Sequence, residues 1–112
     1  MEATARVRNL RGSARKARLV LDLIRGKNVS DAQKVLQFTT KRVAVAIGKL
    51  LNSAIANATV KEGKVDIDEM VVSKAFADEG PIMKRHRPRA HGRANVIRKR
   101  TCHITLEISR EA

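Results

Sequence analysis

The clearest periodicity lies near the end of the chain. From Thr101 to Ser109, Cys102, Ile104, Leu106 and Ile108 take one parity; Thr101, His103, Thr105, Glu107 and Ser109 take the other. Strict alternation of this kind predicts a β-strand with one buried face. A second alternation runs from Ala3 to Arg8 and turns Thr4, Arg6 and Arg8 outward, until Gly12 breaks it. A third stretch, Met70 to Ala77, alternates more weakly but is β-rich, with Val71, Val72 and Phe76.

Between Arg8 and Met70 the period changes to that of a helix. Ala17, Val20, Leu21 and Ile24 recur on one helical face, and Ser13 stands where its hydroxyl can cap the first turn. Gly26 ends that helix. Ser30 and Gln33 read as a capping box that opens a short second helix, with Ala32, Val35 and Leu36 inward and Phe38 closing its end against the core. Thr39 or Thr40 is then expected to cap a long third helix, Lys41 to Thr59. Its stripe is Val43, Ala46, Ile47, Leu50, Leu51, Ala54 and Ala58. Asn52, Ser53 and Asn57 lie beside that stripe as surface polar groups, with RNA sugar contacts as the alternative. Lys61 to Lys64 predicts a turn around Gly63.

Charge changes the picture most between Gly80 and His103. Lys84, Arg85, Arg87, Arg89, Arg93, Arg98, Lys99 and Arg100 lie there, with no carboxylate between Glu79 and Glu107. Both prolines (Pro81, Pro88) and all three histidines (His86, His91, His103) share the stretch. A segment this cationic and this poor in large apolar groups cannot offset its ordering entropy by burying itself. The flanking strand patterns predict a hairpin, turning between Pro88 and Gly92. Arms of about eight to ten residues would carry its tip roughly 25–30 Å beyond the sheet. Such a ribbon is marginal alone in water and needs a polyanion to order it. A solvated loop kept for solubility is the plainer reading, but the strands on both sides argue against it. A second cationic group, Arg11, Arg15, Lys16 and Arg18, crowds the start of the first helix, where the dipole favours an anion such as phosphate.

Composition narrows the function classes. The 112 residues fit one domain, and the net charge of +13 implies a polyanionic partner. Nucleic acid suits this better than a membrane. No basic helix carries aromatic anchors, there is no Trp or Tyr, and the apolar runs, such as Val43 to Ile47, are short. The first residues lack a secretory pattern, Glu2 argues against a transit peptide, and the lone Cys102 forms no internal disulfide or cysteine zinc site, which predicts a reducing, cytosol-like compartment. With only Phe38 and Phe76 as aromatics, recognition is expected through phosphates, sugars and RNA shape rather than splayed bases. Glu62, Asp66, Asp68 and Glu69 cluster, but their spacing fits no calcium loop, so no metal site is assigned. No Walker or GxSxG motif occurs. A nuclease using His86 or His91 with Asp78 or Glu79 lacks a carboxylate adjacent in sequence to orient a base, so no catalytic residue and no cofactor is assigned. His103 reads as a surface or sugar contact.

The stretches SARKARLVLDLIRGK (13–27), NSAIANA (52–58) and DEGPIMKRHRPRAHGRANVIRKRTCHITLEI (78–108) resemble the bacterial large-subunit ribosomal protein of the L-twenty-two family. The likeness covers essentially the whole chain. It implies an α+β fold: three helices packed on a three-stranded antiparallel sheet, with a long protruding β-hairpin. The globular part would be about 1–79 plus 101–112 and the hairpin about 80–100. It implies a cytoplasmic structural constituent of the large ribosomal subunit that binds 23S ribosomal RNA, assists assembly and lines the nascent-peptide exit tunnel. Neighbouring large-subunit proteins and the nascent peptide would be its other partners. RNA contacts would come from Arg11, Ser13, Arg15, Lys16, Arg18, Lys84, Arg85, Arg87, Arg89, His91, Arg93, Arg98, Lys99 and Arg100. The tunnel wall would be Met83, Lys84, Arg85, Arg87, Pro88, Arg89, Ala90, His91, Gly92 and Arg93. His91 and Cys102 depart from the family pattern, His91 where Lys or Arg is usual; the inward parity of Cys102 predicts packing. A free nucleic-acid-binding regulator using the same hairpin is the alternative function.

Overall fold

A computed structural model describes residues 2–63, 66–88 and 94–110. Strand β1 (Glu2–Arg11) is followed by helices α1 (Ala14–Ile24), α2 (Val29–Phe38) and α3 (Val43–Glu62). A 3-10 turn (Ile67–Glu69) leads into β2 (Met70–Glu79), the ribbon strands β3 (Met83–Pro88) and β4 (Ala94–Lys99), and β5 (Thr101–Arg110). The main sheet is antiparallel, in the order β1-β5-β2, and β3 pairs only with β4. The class is the expected α+β, and the final strand is the central one.

The core forms where the inward faces meet. Ala3 and Ala5 of β1, Val72, Ala75 and Ala77 of β2, and Cys102, Ile104, Leu106 and Ile108 of β5 are buried under the helices. Above them lie Ala17, Val20, Leu21 and Ile24 of α1, and Ala44, Ile47, Leu51, Ala54 and Ala58 of α3. By length and mean hydropathy alone, Val43–Lys61 is able to cross a membrane. Here that stripe is spent on the core instead. The Cys102 thiol is fully buried, and loss of solvation pushes its pKa above the ordinary value. It packs as a small apolar group, as its parity predicted.

Helix α1 begins as read: Ser13 Oγ accepts from the Lys16 N–H at 3.3 Å. The second helix does not. Asn28, not Ser30, is its cap, with Oδ1 taking the Ser30 N–H at 2.9 Å. Gln33 turns away from a capping role and donates to Asn52 Oδ1. The cause is tertiary. Gly26 N–H donates to Val72 O and Val72 N–H to Lys27 O, which fixes where the chain enters α2 one residue after Lys27. Phe38, the last residue of α2, is exposed rather than core-closing. Thr39 caps no following helix: its hydroxyl bonds back to Val35 O at 2.6 Å, and α3 starts without a side-chain cap. Thr101 and Thr105, predicted on the polar face, are buried because β5 has a neighbour on each side.

Both edges of the sheet are closed by side chains from the helices. On β2, the Arg25 guanidinium donates from Nε to Ala75 O at 3.0 Å. Arg18 donates from Nε and Nη2 to Ala77 O at 3.1 and 2.9 Å. On β1, Asn57 Nδ2 reaches Thr4 O at 2.9 Å and Lys61 Nζ reaches Glu2 O at 2.8 Å. Residues seven or four apart on one helix thus meet carbonyls two apart on a strand, since alternate carbonyls point off the same edge. Unpaired edges invite association with other chains.

The ribbon joins the sheet through a bulge. Glu79 pairs with Cys102, and the next pair is Met83 with Lys99, so Gly80, Pro81 and Ile82 oppose only Arg100 and Thr101. Gly80 N–H donates to Thr101 O at 2.9 Å, and the Thr101 hydroxyl donates to Pro81 O at 2.6 Å. A Cβ at position 80 would lie 2.5 Å from Thr101 Oγ1, so only glycine fits beside that hydroxyl. The described ribbon strands are six residues each, and the bulge separates them from the body. Residues 89–92 of the expected turn lie outside the described residues. The Cα radius of gyration is 17.1 Å and the longest extent 63 Å; a compact chain of this length would have a radius of about 13 Å.

Two outcomes follow for stability. Gly80→Ala should cost about 1–2 kcal/mol in thermal or urea unfolding by displacing the Thr101 hydroxyl. In a Thr101→Ala background the same change should cost clearly less, and a strictly additive double-mutant cycle would contradict the packing. Arg18→Ala and Arg25→Ala should each cost about 1 kcal/mol. Combined, they should also raise aggregation measured by light scattering, because the β2 edge is then open.

Candidate nucleic-acid interface

All eleven carboxylates of the chain lie outside the stretch 80–100, which carries eight Lys and Arg. The ribbon register runs Met83 to Lys99, Lys84 to Arg98, Arg85 to Ile97, His86 to Val96, Arg87 to Asn95 and Pro88 to Ala94. Lys84 thus stands across the ladder from Arg98. Like charges opposite one another disfavour a two-stranded ribbon unless an anion lies near. Among the described residues, β3 and β4 contact each other extensively and the body hardly at all. By these contacts the backbone of the described ribbon strands does not lie over the body. Arg89, Ala90, His91, Gly92 and Arg93 lie outside the described residues. Met83, Arg85, Arg87, Pro88 and Arg98 are placed by backbone register.

At the foot of the ribbon the two predicted cationic groups meet. Arg11 ends β1 opposite Thr101, and Gly12 N–H donates to Arg100 O at 2.9 Å. The first turn of α1 starts there, exposes Arg15 and Lys16, and contains no acid. Ser13, Arg15, Gly80 and Arg100 line one shallow recess, with Glu79 at its side. Free N–H groups of a helix start and cations from distant parts of the chain converge on one spot, which is the electrostatic arrangement that attracts phosphate. Arg18 stands apart from this cluster, since its guanidinium is bonded to Ala77 O. Asn52 and Asn57 are likewise engaged within the protein.

A second surface was only half visible in the pattern. Helices cover one face of the sheet; the other is open. Arg6, Arg8, Phe76, Asp78, His103 and Thr105 line a shallow recess on it. A bulge in β1 sets Arg8 and Asn9 against His103 alone, with Asn9 at φ 57°. The Asn9 N–H donates to His103 Nδ1 at 3.1 Å, so the imidazole serves as the acceptor that the bulge needs. His103 thus has a structural role at the bulge. The outward parity of Arg6 and Arg8 was the available signal for this face. Among the described residues, no group of three or more His, Cys, Asp or Glu side chains is arranged to hold a metal ion.

Comparison with known families gives a match to the family described as Ribosomal protein L22p/L17e over residues 5–109, nearly the full chain. That family is structural rather than enzymatic. The chain belongs to the L22p/L17e ribosomal protein family, and it is a structural protein of the large ribosomal subunit in the cytoplasm.

Proposed function

We propose that the protein binds 23S ribosomal RNA through its ribbon and the foot of α1, assists subunit assembly, and lines the nascent-peptide exit tunnel near the ribbon tip. One observation carries this reading: among the described residues, the two strands of a cationic stretch pair with each other and meet the body little. Folding alone gives such a ribbon little stability, whereas converging RNA phosphates neutralise it and fix its shape. The chain divides accordingly into a body, residues 1–79 with 101–112, and a penetrating arm, residues 80–100. The recess at Ser13, Arg15 and Arg100 holds phosphate where the arm leaves the body. Lys84, Arg85, Arg87, Arg98 and Lys99 extend the contact along the arm, and residues 89–93 reach the tunnel wall and the nascent peptide. Arg18 serves RNA only with the part of its guanidinium not spent on Ala77. Neighbouring large-subunit proteins meet the body.

Deleting residues 83–94 should leave a cooperative melt, because the core among the described residues lies outside that segment. The full chain should stay with large subunits through a high-salt sucrose cushion, whereas the deletion variant should wash off. A full-length protein that leaves intact particles in the same wash would refute the ribosomal placement. With a purified RNA fragment, log affinity against log salt should have a slope of about −3 or steeper, as at least about four phosphate contacts require. A slope near −1 would show that the ribbon is not engaged.

A further inference from the structure

The chain has only two aromatic residues, and the fold buries neither: Phe38 is 79% exposed and Phe76 42%. The core is closed by aliphatic side chains instead. Exposure alone says little, since Leu19, Leu23, Val45, Val60 and Ile82 are exposed as well. Phe76 has company that suits a ligand. It lies in the recess on the open face of the sheet with Arg6, Arg8, Asp78, His103 and Thr105. The register sets Arg6, Thr105 and Phe76 in one row across the three strands. Arg6 and Arg8 are exposed and have no acidic partner among the described residues. In the next row, Lys74 Nζ stands 3.9 Å from Glu107 Oε2, so that carboxylate is offset by a cation.

We propose that this face binds an unpaired ribonucleotide. Its base stacks on the Phe76 ring, and Arg6 and Arg8 hold the flanking phosphates. Asp78 accepts from an exocyclic amino group or a ribose hydroxyl. Sheets that read single-stranded RNA combine an aromatic platform with cations in this way. The inference rests on the RNA-binding reading above and deepens it. It also amends the expectation that recognition runs through phosphate and shape alone: one base is read by stacking. An acidic protein segment is the competing occupant. The apolar lining of the recess is Phe76 with the half-buried Val7 and the buried Ile104, a small area for a peptide to bury but enough for one base.

The absence of Trp and Tyr makes the test direct. Phe76→Trp in the full chain places a sole emitter in the recess, and Phe38→Trp places one outside it. Each is titrated with a short single-stranded oligoadenylate and with duplex RNA of the same length, while anisotropy of labelled RNA reports binding separately. The single strand should quench the emitter at position 76 strongly, duplex RNA should not, and the emitter at position 38 should respond to neither. Phe76→Leu, which keeps an apolar side chain without the ring, should weaken single-strand binding about tenfold, within what stacking of one base contributes. Binding by anisotropy without quenching at position 76 would overturn the stacking site and leave the RNA-binding reading intact. No binding by either readout would overturn that reading itself. A blue shift at position 76 with RNA-free large-subunit proteins, and no quenching by oligoadenylate, would assign the face to a protein and defeat the proposal.

Discussion

The structure depends on closing a three-stranded sheet that has no fourth strand on either side. Two helices supply what neighbouring strands would have supplied. Helix α1 sends Arg18 and Arg25 to the carbonyls of Ala77 and Ala75; helix α3 sends Asn57 and Lys61 to those of Thr4 and Glu2. These bonds also set the helices in place. A helix whose side chains are bonded to the strand edge cannot slide along the sheet without losing them. The apolar contacts beneath, from Leu21, Ile24, Ile47 and Leu51, supply most of the burial but little direction. Direction comes from the edge bonds.

That arrangement matters because the sheet is the mount for the ribbon. The ribbon continues β2 and β5, which are adjacent, and β5 is the middle strand. Its root is therefore held by β2 on one side and β1 on the other. The bulge at Gly80 to Ile82 lets the ribbon leave the sheet at its own angle, and the Thr101 hydroxyl bonded to Pro81 O ties the departure point. A cationic arm that folding barely stabilises thus starts from the best-supported strand in the protein.

How far the pattern could be read depends on whether a choice was local. The Ser13 cap, the buried face of α1 and the inward parity of Cys102 were legible, because neighbours in sequence decide them. The start of α2 was not. Asn28 and Ser30 are both good caps in isolation, and the bonds from Gly26 and Lys27 to Val72 chose between them. Phe38 looked like core because aromatic rings usually are; only the position of α2 over the sheet shows that it ends in solvent. Arg25 carried no signal at all, since an arginine that clamps a distant carbonyl looks like any surface arginine. The site divided in the same way. The charge of the ribbon is written in consecutive residues. The meeting of Arg15 with Arg100 is written only in the pairing of β1 with β5.

The distribution of charge explains why one chain can be both compact and so cationic. Every carboxylate belongs to the body or its ends, where Arg18, Arg25, Lys61 and Lys74 are bonded to strand carbonyls or paired with acids. The net charge of the body is thereby kept low enough for it to fold. Of the rest, Lys84, Arg85, Arg87, Arg98 and Lys99 belong to two strands that meet the body little, so their repulsion bears less on the core. Had the same cations been placed on α1 and α3, the helices would have repelled each other across the sheet they must cover. Separating the charge from the core keeps the self-repulsion of the arm away from the packed face of the sheet.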